Sequence, residues 1–412
     1  MIIPNVSRIE RDIHQLSKFR DPKFPGITRR YDSIQYIEAR NWIIRKFNEY
    51  GLTPIVDKTG NLMVEYGSHS NNRLIAIGSH IDTVISGGKY DGSVGVLGGL
   101  EILRCLIENK IELSHNILLI DFFAEESTEF GLSLVGSRGL AETLSIEQLS
   151  LKNDAGKSLK EVITTHINEL NTSFGYINRR RISYFLELHI EQGPILEHEK
   201  KTVGVVSGII GLRRLDVIII GENNHAGSTP LELRKDALLS AAIIIVELRK
   251  KWKEKAKDSI RITVGKLKIS PNLSNVIPGR VEFSIDLRAE SNQILDYWVD
   301  QIENTVIESC VENDVEWKIM IKSRIEPVTF NKDILAVIFK AAEKAKMSCM
   351  TINSGAAHDS SQMSLISKAG MIFIPSKDGK SHCESEFTSM DDISKGVEVL
   401  GNSILLLDSL ID

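Results

Sequence analysis

The stretch Gly78-Ser-His-Ile-Asp-Thr-Val84, followed closely by Gly87-Gly-Lys-Tyr-Asp-Gly92, decides how this chain folds. It sets His80 and Asp91 eleven residues apart, just after the apolar run Leu74 to Gly78. Three more apolar runs end in the same kind of chemistry. Ile117 to Phe123 leads to Glu125-Glu126, Tyr184 to Ile190 carries His189, and Met371 to Ser376 leads to Ser381-His382. Four strand-like segments thus deliver imidazoles and carboxylates near their carboxyl ends, the donor set that borderline divalent metals such as zinc accept. Each feature alone is weak, since a histidine at a strand end is commonly an ordinary polar residue. The joint pattern points to a metal-dependent hydrolase.

The surrounding periodicity supplies the architecture. In the segment 33–50, which Gly51 ends, the residues Tyr36, Ile37, Ala39, Ile43, Ile44 and Phe47 share one helical face. Strands are expected at 53–57, 61–66, 74–78 and 116–123, with a helix at 92–109 between the last two. Such alternation predicts an α/β sandwich with a largely parallel sheet, whose ligands gather beyond the carboxyl ends of the strands. From Arg213 the order becomes strand 215–221, helix 236–254, strands 261–269 and 281–287, helix 293–312 and strand 315–321. That is the β-α-β-β-α-β order of a ferredoxin-like α+β unit. The first pattern then returns, with a helix at 332–346, a strand at 371–375 and a helix at 391–411. The expected organisation is a catalytic domain of residues 1–212 and 328–412 interrupted by an inserted domain of residues 213–327.

Bulk properties narrow the function classes. A length of 412 residues suits two domains. Hydrophobic content of 42% and charged content of 25% are those of a globular chain. The net charge of −5 argues against nucleic acid or an anionic membrane as the main partner. No apolar run reaches the length of a membrane span, and the first residues lack a signal-peptide core. The expected location is the cytoplasm. Cys105, Cys310, Cys349 and Cys383 are scattered and predict no disulfide; Cys383 adjoins His382 and is expected to be a spectator thiol.

Chemistry suggests roles. Adjacent carboxylates at Glu125 and Glu126, beside buried surface, repel each other unless a cation compensates. One can bind metal while the other takes a proton from the attacking water. Asp82, two residues after His80 on the same side of an extended chain, is placed to accept the imidazole N–H and orient the ring. Asp91 has two oxygens and can bridge two metals.

These same residues carry a resemblance. G-S-H-I-D-T-V, G-G-K-Y-D-G, A-E-E, L-H-I-E-Q-G-P, H-A-G-S-T-P-L-E-L-R-K-D-A, N-V-I-P-G, D-L-R, S-G-A-A-H-D and S-H-C-E-S-E occur here in order. Their order resembles that of the N-carbamoyl-L-amino-acid amidohydrolases, allantoate amidohydrolases and β-ureidopropionases, a group of binuclear metallopeptidase relatives. The resemblance implies two divalent ions per subunit, zinc or else manganese, cobalt or nickel. It implies His80, Asp91 and His189 as ligands of one ion, and Asp91, Glu126 and His382 as ligands of the other. Glu125 would be the general base. His225 would stabilise the oxyanion, reaching the active site of a partner subunit in a homodimer built through the inserted lid and dimerisation domain. Asn275 and Arg288 would bind the substrate carboxylate, and Gln192 the ureido end.

The implied reaction is hydrolysis of a ureido C–N bond, first of an N-carbamoyl-L-amino acid to the amino acid, carbon dioxide and ammonia. Allantoate and a β-ureido acid are the alternatives within the class. An aminoacylase or dipeptidase, and a non-catalytic metal-binding relative, are the more distant ones. Two departures stand out. Ala357 replaces a glycine that lets backbone approach the substrate, and Glu129 replaces a basic residue near the metals. His358 keeps its motif place without an assigned role, and His198 is expected to be solvated.

Overall fold

The computed structural model describes residues 1–67, 73–255 and 260–410. Two compact units emerge, Met1–Ser207 with Phe330–Asp412, and Gly208–Thr329.

In the larger unit, the strands Asn116–Phe122, Leu74–His80, Ile182–Ile190 and Lys368–Ile374 lie side by side and parallel. The first two are buried at every position. Burial on both faces is why they read as continuous apolar runs without alternation. Their parallel register aligns His80 with Phe122 and Phe373 with His189, so their carboxyl ends open on one edge of the sheet. Helix Ser93–Glu108 follows the loop carrying Asp91 and packs on these strands.

The expectation of a largely parallel sheet needs correction. Leu62–Tyr66 pairs antiparallel to Asn116–Phe122, and Pro54–Val56 antiparallel to Leu62–Tyr66. At the other side Val203–Ile209 runs antiparallel to Lys368–Ile374. The sheet is mixed: a parallel centre has antiparallel neighbours on both sides, and the short edge strand Ser173–Phe174 runs parallel to Pro54–Val56. Short connections explain the flank: five residues separate Pro54–Val56 from Leu62–Tyr66, enough for a hairpin but not for the crossover a parallel pair requires. The last helix, Met390–Asp408, is capped by Ser389, whose hydroxyl accepts from the backbone of Asp392. It ends before the expected limit, and residue 411 lies outside the described residues.

The smaller unit contains a four-stranded antiparallel sheet in the order Ile260–Ser270, Arg280–Ala289, Gly211–Ile220, Glu316–Ile325. Numbered along the chain this is 2-3-1-4, the arrangement of a ferredoxin-like sheet. Helices Ala237–Lys255 and Asn292–Glu312 bury one face. The strict alternation of buried and half-buried residues along Arg280–Ala289 records that one-sided cover. Asp236 starts the first helix by accepting from the backbone of Leu238 and Leu239. Among the described residues, no helix is long and apolar enough to cross a membrane.

Candidate metal centre and active site

The parallel strands bring five of the expected ligands into two trios. His80, Asp91 and His189 present atoms all within 4.8 Å of one another, and so do Asp91, Glu126 and His382. Asp91 belongs to both. Its Oδ1 lies 3.1 Å from His189 Nε2 and 3.7 Å from His80 Nε2, while Oδ2 lies 3.2 Å from His382 Nε2. Glu126 Oε1 is 3.4 Å from the same His382 nitrogen.

Local backbone geometry fixes which imidazole nitrogen faces inward. His189 Nδ1 is 2.8 Å from the carbonyl of Ile190, to which it donates, so Nε2 faces Asp91, where it accepts the Gly92 backbone N–H at 3.1 Å. His80 Nδ1 lies 3.1 Å from the carbonyl of Asp82. Its Nε2 likewise faces the cluster. Gly92, at φ +60, follows Asp91 directly, and a Cβ there would collide with His80 Nε2. The glycine that closes the opening motif therefore meets a clearance requirement.

Asp82 faces His80 Nδ1 with both its carbonyl and its carboxylate. Its carbonyl, rather than its carboxylate, makes the shorter contact with His80; Oδ1 is 3.6 Å away. The carboxylate also accepts the backbone N–H groups of Glu125 and Glu126, at 3.2 and 3.1 Å. It orients the Glu-Glu pair through the main chain. A pattern-based reading favours side-chain contacts because backbone donors leave no trace in residue identity.

The electrostatics are dominated by burial. Asp91 is pushed up by burial, but hydrogen bonds with His189 and His382 outweigh this and hold it well below the usual carboxylate range. Burial raises Glu125 well above that range, with the charge of Glu126 adding to it. Burial and the charge of Asp91 lift Glu126 to about 7. His382 is raised to about 9, chiefly by its hydrogen bond to Asp91. Glu125 Oε2 stands 3.6 Å from His80 Nε2, at the rim of the first trio. The donor set of three imidazoles and two carboxylates, with Nδ1 of two rings already engaged, fits borderline divalent cations.

Gln192 sits on this cluster with φ +58. Its Nε2 donates to Asp91 Oδ2 at 2.7 Å, and its Oε1 is buried with no hydrogen-bond partner. His358, left without a role by sequence, is buried edge-on against the His189 ring, with centroids 4.5 Å apart, and its Nε2 meets Ser354 Oγ at 3.0 Å. Glu187, His189 and His358 form a further candidate trio. Glu187 is already used: it accepts from Ser79 Oγ and from the backbone of Ser360, both at 2.9 Å. Ala357 is exposed just before His358. Glu129 pairs with Arg30 at 2.6 Å, so its charge is compensated locally. The Cys383 thiol lies 3.4 Å from Ser385 Oγ, and His198 is solvated.

The smaller unit carries the remaining expected residues. His225 is exposed and pairs in register with Val276, which places it beside Asn275, whose carbonyl accepts from Ala226 N at 3.0 Å. His225 Nδ1 accepts the backbone N–H groups of Gly227 and Ser228, both at 3.1 Å. The ring therefore caps its own turn, and its proton is left on Nε2, facing out. Arg288 lies on the half-buried face of the sheet and donates through Nε to Asp286 Oδ1 at 2.8 Å. Sequence reasoning gave no role to Glu386, which accepts the backbone N–H groups of Tyr90 and Asp91.

Comparison with known proteins matches this geometry to a family. Residues 76–405 match Peptidase family M20/M25/M40. The chain is 34% identical over 404 residues to an N-carbamoyl-L-amino-acid amidohydrolase of Paenarthrobacter aurescens, covering 97% of this chain and 98% of that protein. It is 35% identical over 380 residues to an allantoate amidohydrolase of Bacillus subtilis, covering 91% of each. A solved amidase of the hydantoinase/carbamoylase family from Burkholderia multivorans superposes with a TM-score of 0.91 at 32% identity, over 98% of both chains. With most of its length matched and relatives this similar from end to end, the chain belongs to Peptidase family M20/M25/M40.

Proposed function

We propose that the protein is a metal-dependent amidohydrolase that cleaves the ureido C–N bond of an N-carbamoyl-L-amino acid, releasing the amino acid, carbon dioxide and ammonia. The observation that carries this reading is the pair of ligand trios sharing Asp91, with Glu125 at their rim. The full-length similarity to relatives named for ureido substrates supports it.

His80, Asp91 and His189 would hold one divalent ion, and Asp91, Glu126 and His382 the other, with zinc, manganese, cobalt or nickel each suited to these donors. Bound there, the ions supply Lewis acidity toward the carbonyl oxygen and toward the attacking water. Glu125 takes the water's proton; burial already makes its carboxylate a willing acceptor. Asp82 keeps Glu125 and Glu126 in register through their backbone amides. Gln192 offers an amide oxygen without an internal partner, which suits the N–H groups of a ureido end.

The smaller unit acts as a lid and dimerisation domain. His225, with its proton fixed on Nε2, donates to the oxygen that gains charge, and does so across the interface of a homodimer. Asn275 and Arg288 take the substrate carboxylate, for which a planar guanidinium is well shaped. Mixing inactive His225→Ala and Glu125→Gln proteins under subunit exchange should then restore about a quarter of native activity, since half the dimers are mixed and each has one working site. Activity that stays at the level of the parents shows that His225 does not act in trans.

The substrate is tested by measuring kcat/KM for ammonia release from N-carbamoyl-L-amino acids, allantoate and β-ureidopropionate, with dipeptides and N-acyl amino acids scored by amine release. N-carbamoyl-L-amino acids should lead. A higher value for allantoate moves the enzyme to the second reading, and amine release from dipeptides without ammonia from any ureido acid removes both.

A further inference from the structure

Glu386 is 4% exposed, lies four residues beyond His382 and belongs to neither trio. Its Oε1 accepts two consecutive backbone N–H groups, from Tyr90 at 2.9 Å and from Asp91 at 3.1 Å. Its Oε2 lies 2.9 Å from Ser381 Oγ, and that hydroxyl is also 2.9 Å from Asp91 Oδ2. The hydroxyl has one proton, so it bridges the two carboxylates by donating to one at a time. Gln192 donates to the same Oγ at 3.3 Å. Glu386 thus reaches the shared aspartate from two sides: directly at its main chain, and through Ser381 at its carboxylate.

The chain makes room for this contact. A Cβ at Gly88 would collide with the carboxyl group of Glu386. Gly88 is therefore part of the same device as the acid 298 residues later. The arrangement is costly, because burial and the charge of Asp91 both raise the Glu386 carboxyl. A buried acid beside another acid needs compensation, and the two amides and the hydroxyl provide it.

We infer that Glu386 is a positioning residue for the metal centre: by clamping the Tyr90–Asp91 backbone to the loop that carries Ser381 and His382, it fixes the bridging carboxylate relative to the second ion's histidine. This rests on the reading of Asp91 and His382 as ligands. Hydrogen-bonded partners behind a ligand set its orientation, and their loss typically weakens metal affinity by about 10–100-fold. Three substitutions separate the possible causes. Glu386→Ala removes the clamp. Glu386→Asp keeps the charge but shortens the side chain, so that it falls short of the two amides. Glu386→Gln keeps an oxygen able to accept both amides and loses the charge.

The test is zinc uptake by the chelated full-length proteins, measured in competition with a chromophoric chelator, beside thermal melts of the same metal-free samples. Glu386→Ala and Glu386→Asp should bind at least one zinc equivalent about 10–100-fold more weakly than the parent. Glu386→Gln should bind close to the parent. If Glu386→Ala does not fold, Glu386→Asp decides. Native affinity in Glu386→Asp, with or without a lowered melting temperature, overturns the inference and leaves Glu386 a purely structural acid. Glu386→Gln as weak as Glu386→Asp also overturns it, because charge rather than the clamp would then matter. A parent protein that takes up none of zinc, manganese, cobalt and nickel overturns the ligand reading and the clamp with it.

Discussion

Two buried polar clusters in the larger unit handle charge in opposite ways. At the first, Arg40 and Asp121 are fully buried partners, with Arg40 Nε 2.8 Å from Asp121 Oδ2. The guanidinium also donates to the carbonyl of Asp121 at 2.6 Å and to that of Gly60, and its Nη1 meets His166 Nε2 at 3.1 Å. Tyr36 and Phe123 pack on the His166 ring. One cation answers one anion, although Asp121 Oδ1 and His166 Nδ1 stay buried without a hydrogen-bond partner among the described residues. At the second, Asp82, Asp91, Glu125 and Glu126 crowd three imidazoles; burial lifts Glu126 to about 7, and the hydrogen bond to Asp91 lifts His382 to about 9. A buried ion pair answers its own charge, and removing one partner strands the other. An acid-rich cluster of imidazoles and carboxylates at open strand ends is a receptor for cations, and it concentrates perturbed groups as catalytic sites do.

The comparison predicts that damage to the two clusters will show in different measurements. Glu125→Gln should lower kcat by about 10²–10⁴-fold while metal content and melting temperature stay nearly native. Near-native turnover in the metal-loaded variant would remove Glu125 as the base and blur the distinction. Arg40→Met should do the reverse. Leaving Asp121 buried without its partner costs about 3–5 kcal/mol of folding stability, read by denaturant titration, with per-molecule activity of the folded fraction retained. A large loss of turnover without loss of stability would show that the Arg40 cluster takes part in function.

Arg288→Ala tests whether charge recognition extends to the smaller unit. It should reduce kcat/KM for ureido acids by an amount within about 2–5 kcal/mol, and should matter much less for analogues whose carboxylate is an amide. The lower end is expected, since Arg288 starts out paired with Asp286 and half-exposed. Equal losses on both substrates give Arg288 a structural role rather than one in recognition.

The smallest effect belongs to His166. Burial, followed by the nearby charge of Arg40, holds its pKa well below the ordinary histidine value. The unfolded chain then binds a proton below about pH 6.5 that the folded chain refuses, so stability falls as the pH drops through that value. The slope contributed is at most about 1.4 kcal/mol per pH unit. His166→Gln should flatten that part of the acid limb; an unchanged limb would place the titration elsewhere.

The sequence displayed the ligand-bearing edge because parallel central strands are apolar on both faces, so polar residues such as His80 and Glu125 stand out where the runs end. The antiparallel neighbours were not legible. Leu62–Tyr66 has the same apolar content whichever way its neighbour runs, and only the shortness of its connection distinguishes the two. Contacts made through the main chain were equally hidden. Asp82 was readable as a partner of His80 from its spacing, yet its carboxylate grips the amides of Glu125 and Glu126. Glu386 lay in plain view within S-H-C-E-S-E, but its partners are backbone groups nearly three hundred residues away. The cue that remained was Gly88, a glycine whose need appears only once the acid it clears is known.

The central claim is that the acid-rich cluster hydrolyses ureido bonds when it holds divalent metal. The most direct measurement is ammonia released from an N-carbamoyl-L-amino acid by one preparation assayed as purified, after chelation, and after metal is restored. The account predicts release that vanishes on chelation and returns with zinc, manganese, cobalt or nickel, in proportion to metal bound up to two equivalents per chain. Ammonia release that persists in demonstrably metal-free protein would contradict it.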